Sequence, residues 1–235
     1  MKVLGRWATV GFAVLAFVLG SVAAWEAARF IVPATQNLDL HGRISDGTRL
    51  AVVSLVSTPV MIITLMLASR RSGSNVLAYL GLDIPRRRHI AITVAGLAVW
   101  IVFVDALTLA LGQDMVSPWM LETNRSARAD GSLMWLWLTV VVAAPIGEEI
   151  LFRGFVFRAF VDAQPDAIPN IVLISLIWSL LHTQYDWFVI AGIFVFGVLL
   201  GLVRWSTGST TLTILLHMLN NLEGWIETEF VLRYT

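Results

Sequence analysis

The chain has 235 residues, 57% of them hydrophobic and only 14% charged, with a formal net charge of zero. Soluble domains carry about 25% charged residues, so disorder, a collagen-like chain and an ordinary water-soluble fold are excluded, and zero net charge makes no electrostatic case for nucleic acid. Cysteine is absent, which removes disulfides, thiolate metal sites and cysteine nucleophiles.

Apolar runs follow one another at 8–25, 50–69, 89–111, 133–158, 168–186, 187–204 and 208–226. A helical span takes roughly 20 apolar residues. Period-2 alternation is missing, so helices are expected rather than a barrel. The expected fold is an all-α polytopic membrane protein, a bundle of about seven transmembrane helices (six to eight) with a buried polar site. It reads as a single membrane-embedded domain over 1–235.

Lys2 and Arg6 precede the first run, which ends Ser21-Val22-Ala23-Ala24. That start also suits a signal peptide, but the spans behind it favour a retained anchor. Arg70, Arg71, Arg86, Arg87 and Arg88 crowd the connection between the second and third runs. Positively charged short loops stay in the cytoplasm, which places the N-terminus inside and Arg153, Arg158 and Arg204 on or near the inner side. Loops 33–49 and 112–132 carry mixed charge and face outward. Within 75–88, a mildly amphipathic stretch (Val76, Leu77, Leu80, Leu82) is expected on the inner surface. The expected location is the cytoplasmic membrane of a bacterium or archaeon, with the bilayer itself as a partner.

An ionisable side chain at membrane depth costs at least about 2.5–3.5 kcal/mol. The fourth run nevertheless holds Pro145-Ile146-Gly147-Glu148-Glu149-Ile150-Leu151-Phe152-Arg153, the fifth Trp178-Ser179-Leu180-Leu181-His182, and the seventh His217-Met218-Leu219-Asn220-Asn221. With a 1.5 Å rise per residue, Glu148, His217 and His182 lie roughly 15, 14 and 21 Å from the inner ends of their runs. They therefore share a layer near mid-membrane. His217 and Asn221 stand on one helix face, as do Glu149 and Arg153.

A carboxylate and an imidazole flanking a water can make a hydroxide-like nucleophile, while a second imidazole with a carboxamide can stabilise an oxyanion. Alternatively, Glu148, His182 and His217 hold a divalent metal such as Zn²⁺ with water in the fourth position. Both routes end in hydrolysis of a carbonyl bond within the membrane.

Glu-Glu-x-x-x-Arg, aromatic-x-x-x-His and His-x-x-x-Asn, in that order, resemble the motifs of the CAAX-protease and bacteriocin-processing (Abi, Rce1-like) intramembrane proteases. Phe194-x-x-Gly197-x-x-x-Gly201 is similar to that family's glycine-bearing helix. The resemblance spans roughly 133–225, and Trp178 stands where the family usually has Phe. It implies an intramembrane endopeptidase in which Glu148 and His182 activate water and His217 with Asn221 forms the oxyanion pair. Glu149 and Arg153 would be supporting residues, and the substrate a membrane-associated peptide or lipidated protein. The family is commonly described as metal-dependent, and a metal-free glutamate mechanism has also been argued; the same residues serve both.

Blander readings stand beside these. Glu149–Arg153 suits a helix-stabilising pair, Asn221 a bridge between helices, and Gly197 with Gly201 a packing seam. Asp105, deep in the third run, calls for a structural partner such as an arginine. A non-catalytic scaffold or immunity protein of the same family is the alternative function. A proton-coupled transporter ranks below it, since no internal repeat is found.

Overall fold

The computed structural model describes residues 2–33, 38–162 and 166–234; residues 34–37 of the expected outer loop lie outside them. The protein is all-helical, with no strand among the described residues. Long helices α1 (Arg6–Ile31) and α3 (Gly47–Arg70) pack along their length, with the short α2 (Leu40–Ser45) between them in sequence. A short α4 (Val76–Leu80) leads to α5 (Arg87–Ala110), and α6 (Pro118–Ala129) to the rod α7 (Leu133–Asp162). Next come α8 (Ala167–Leu180), α9 (Trp187–Thr207) and α10 (Thr210–Tyr234).

Each expected run contains a helix. Five helices among the described residues, α1, α3, α5, α7 and α9, are long and apolar enough to cross a membrane. The protein is an integral, polytopic membrane protein. Its outer surface agrees: on α5, Val99, Val102 and Leu109 are 70%, 68% and 66% exposed, a cost in water that lipid removes.

Two runs depart from a full span. The helix expected across 168–186 stops at Leu180 after 14 residues, about 21 Å, too short for a hydrocarbon core of about 30 Å. His182 therefore lies in a turn, not inside a helix as the sequence suggested. Asp186 restarts the chain as the cap of α9, accepting from the Phe188 and Val189 amides. α10 is long enough, but its polar residues make it less apolar than the other long helices.

Within the 75–88 stretch, one side faces the protein and the other is open, with Leu77 and Ile84 51% and 96% exposed. Tyr79 and Leu80 are completely buried, and α4 packs against one end of the bundle. Gly81 ends α4 at φ 68°, where its carbonyl receives the Thr210 amide at 2.8 Å. A β-carbon there would come within 2.9 Å of the Gly208 carbonyl oxygen, so only glycine closes this contact. Arg158 donates to the Ala78 and Tyr79 carbonyls and pairs with Asp162, which also pairs with the buried Arg204. At the opposite end, α6 ties to α10 through Asn124 and Arg128 on Glu229, and to α2 through Glu122 on Ser45.

The rod α7 is wound irregularly. π-helical turns at Leu138–Ala143, Ile150–Val156 and Arg158–Asp162 flank the α-helical Ala144–Glu149. Wide turns of this kind release carbonyls, and they concentrate at functional sites. In an i→i−5 register the amide of residue 145 would serve Val140, but Pro145 has none; the Asn221 amide donates to the Val140 carbonyl instead, at 2.9 Å. The Arg153 carbonyl likewise accepts from Arg204 Nε and from the Thr210 hydroxyl.

The packing seam between α8 and α9 rests on glycine. A β-carbon at Gly201 would sit 2.5 Å from Ile171 Cγ2, and one at Gly197 would sit 2.9 Å from the Trp178 ring. Gly201→Leu is therefore expected to cost about 1–3 kcal/mol through overpacking. Thermal unfolding in detergent, followed by loss of the monodisperse peak, measures it.

Candidate active site

Two adjacent carboxylates leave the same turn of α7 and meet different fates. Glu149 is fully buried. Its Oε1 accepts from Arg153 Nη1 at 2.8 Å and from His217 Nδ1 at 3.0 Å. Arg153, 1% exposed, spends a second N–H on the Gly197 carbonyl at 3.0 Å and lies 4.4 Å from the Trp178 ring centre. The set Glu149, Arg153, His217 and Gly197 thus joins α7, α9 and α10 by charge-assisted hydrogen bonds. The glycine seam and the ion pair are one construction: the absence of side chains at Gly197 lets Trp178 and α8 close over it.

Glu148 points elsewhere and stays 30% exposed. Its Oε2 accepts from the Trp178 indole N–H at 2.7 Å and lies 3.9 Å from His182 Nε2. His182 Nδ1 is 2.9 Å from the Trp178 carbonyl, which only accepts, so Nδ1 carries the proton and Nε2 in the neutral ring offers its lone pair toward Glu148. One water at ordinary hydrogen-bond distance from both atoms spans such a separation. The turn that carries His182 also brings Tyr185 to the site. Its ring stacks with His182 at 6.4 Å and meets Trp119 edge-on at 5.1 Å.

The expected residues thus fall into two connected groups. Glu148 and His182 face one another; His217 is held by Glu149; and Trp178 touches both, its ring edge-on to His182 at 5.2 Å and to His217 at 5.4 Å. Asn221 is anchored on Val140, which leaves one of its two amide hydrogens uncommitted. Its removal frees a carbonyl in the rod, so Asn221→Ala is expected to lose about 1 kcal/mol of stability. Denaturation midpoints of the two proteins in one detergent measure that loss.

The metal reading meets a geometric test. Ligand atoms around one Zn²⁺, each at about 2.0–2.2 Å, lie within about 4.4 Å of one another. Glu148, His182 and His217 do not form a set gathered within 4.8 Å, so the side chains as placed do not close around an ion. Such a set does occur at Asp105, Glu223 and Glu227, on α5 and α10. The arginine partner expected for Asp105 is thus replaced by two carboxylates.

Several participants escaped the sequence. Tyr185 follows no motif and reaches the site only because α8 ends early. The Gly197 carbonyl, a backbone acceptor, has no sequence signature. Trp178 was visible as an aromatic, but its N–H contact with Glu148 needs the crossing of α7 and α8.

Residues 130–222 match the family model described as Type II CAAX prenyl endopeptidase Rce1-like. The matched segment is similar to the family that the motifs resemble, and it includes Glu148, His182, His217 and Asn221. An uncharacterized 24.3 kDa protein of Escherichia coli is 31% identical over 83 residues, 34% of this chain. The chain spans 38% of the length of that relative. No solved structure matches the chain.

Proposed function

We propose that the protein is an intramembrane endopeptidase that hydrolyses a peptide bond of a membrane-seated peptide or lipidated protein. The observation that carries this reading is the Glu148–His182 pair: two basic atoms 3.9 Å apart, both partly exposed, in strongly apolar stretches of the chain. The Rce1-like match over 130–222 supports the same class.

In this reading Glu148 and His182 Nε2 hold one water between them. Glu148 takes a proton from it as the oxygen adds to the scissile carbonyl carbon, giving a tetrahedral oxyanion. The free N–H of Asn221 donates to that oxyanion; His217 Nε2 joins it when its ring is doubly protonated, since Nδ1–H is spent on Glu149. Collapse breaks the C–N bond, and the proton held by Glu148 passes to the leaving amine. No step is routed through a metal, given the spread of the three donor side chains. The arginine-rich 70–88 connection and the N-terminus lie on the cytoplasmic side in this reading.

The test is cleavage of an internally quenched, farnesylated peptide by purified protein in phosphatidylcholine–phosphatidylglycerol vesicles, with products identified by mass. Hydrolysis by the wild type and its loss in Glu148→Ala and His182→Ala are expected. Retained turnover in Glu148→Ala would overturn the assignment.

A further inference from the structure

Trp178 makes more contacts with the reacting groups than its place in the sequence suggests. Its indole N–H donates to Glu148 Oε2 at 2.7 Å, and its backbone carbonyl takes the His182 Nδ1 proton at 2.9 Å. Its ring lies edge-on to both His182 and His217, and the Arg153 guanidinium caps it at 4.4 Å. The residue is 2% exposed, wedged where a β-carbon on Gly197 would collide with it. It cannot swing away without displacing α9.

A carboxylate with a single fixed donor has its rotation about the last side-chain bond restricted. The indole is such a donor: rigid, uncharged and without acceptor capacity. By holding Oε2, it turns the remaining lone pairs of Glu148 toward the side on which His182 Nε2 stands. The same residue fixes the tautomer of His182 through its carbonyl. One side chain and one carbonyl thus set the orientation of the base and the protonation of its partner.

We propose that Trp178 is a positioning residue for the water-activating pair, orienting Glu148 through its indole N–H while its ring separates that pair from the Glu149–Arg153–His217 network. The proposal rests on the hydrolase reading above. It assigns Trp178 no contact with substrate.

Trp178→Phe keeps a large ring in the Gly197 seam and removes only the N–H. In vesicles with the farnesylated quenched peptide, kcat is expected to fall about ten- to hundredfold, the effect of losing a charge-assisted hydrogen bond, while KM stays within about twofold. A ring that merely packs would leave kcat unchanged. The second readout needs neither substrate nor the Phe variant. Among the indole N–H resonances of the ten tryptophans in ¹⁵N-labelled protein, one downfield resonance is expected to move upfield in Glu148→Ala. Wild-type kcat in Trp178→Phe, or indole resonances unmoved by Glu148→Ala, would overturn the proposal. If Glu148→Ala is inactive and Trp178→Phe fully active, the positioning role alone fails; if Glu148→Ala itself turns over, the hydrolase reading fails with it.

Discussion

Glu149→Ala is expected to destabilise the protein by about 3–5 kcal/mol, the cost of leaving a buried guanidinium without its counter-charge. Arg153 and Glu149 are 1% and 0% exposed, so neither water nor lipid headgroups can replace the lost carboxylate. The same deletion strips His217 Nδ1 of its partner. Three helices lose a common junction, and the variant should fail to survive extraction or unfold well below the wild type on heating. Glu149→Ala combined with Arg153→Met should recover part of that loss, because removing both charges leaves no orphan. A lone Glu149→Ala as stable as wild type would mean that this junction does not hold the bundle.

One residue earlier in the chain, the expectation reverses. Glu148→Gln keeps the shape of the side chain, which is 30% exposed and carries no ion pair with a permanently charged partner. Stability should change by less than about 1 kcal/mol. Hydrolysis should fall by about 10²–10⁴, the range for loss of a general base. His182→Ala should fall comparably, and the double variant should be little slower than either single one, since groups that act as a unit are not additive. Multiplying losses would show that the two side chains work independently.

Neighbouring carboxylates with opposite dependences are hard to tell apart in a sequence. Burial of polar residues in apolar runs was legible, as was the stacking of Glu149 on Arg153. Helical spacing alone carries these, because partners four residues apart must face the same way. What could not be read depends on irregular backbone. Nothing in 168–186 announces a stop at Leu180, because hydrophobicity continues to Leu181; yet the stop puts His182 and Tyr185 in a turn. The π-helical turns of α7 rotate Glu148 relative to an ideal helix, and Pro145 marks only one of them. The Asn221 bridge to Val140 follows from that same proline, once the lost amide is traced to the carbonyl it would have served.

The 75–88 segment has an inner side that its pattern did not announce. Leu77 is half-exposed while Tyr79 and Leu80 are fully buried, so the weak amphipathicity marks a helix with one face packed on the protein. What seats it is not its own pattern but Arg158, which reaches its last carbonyls from α7. Asp105 failed because its neighbours, Glu223 and Glu227, come from a helix more than a hundred positions away.

The most direct measurement is the turnover of the farnesylated quenched peptide by wild type and Glu148→Gln in matched vesicles holding equal amounts of folded protein. A difference of about two orders of magnitude or more, as expected for loss of a general base, is the predicted result. Equal rates would contradict the claim that the exposed member of the glutamate pair activates the water.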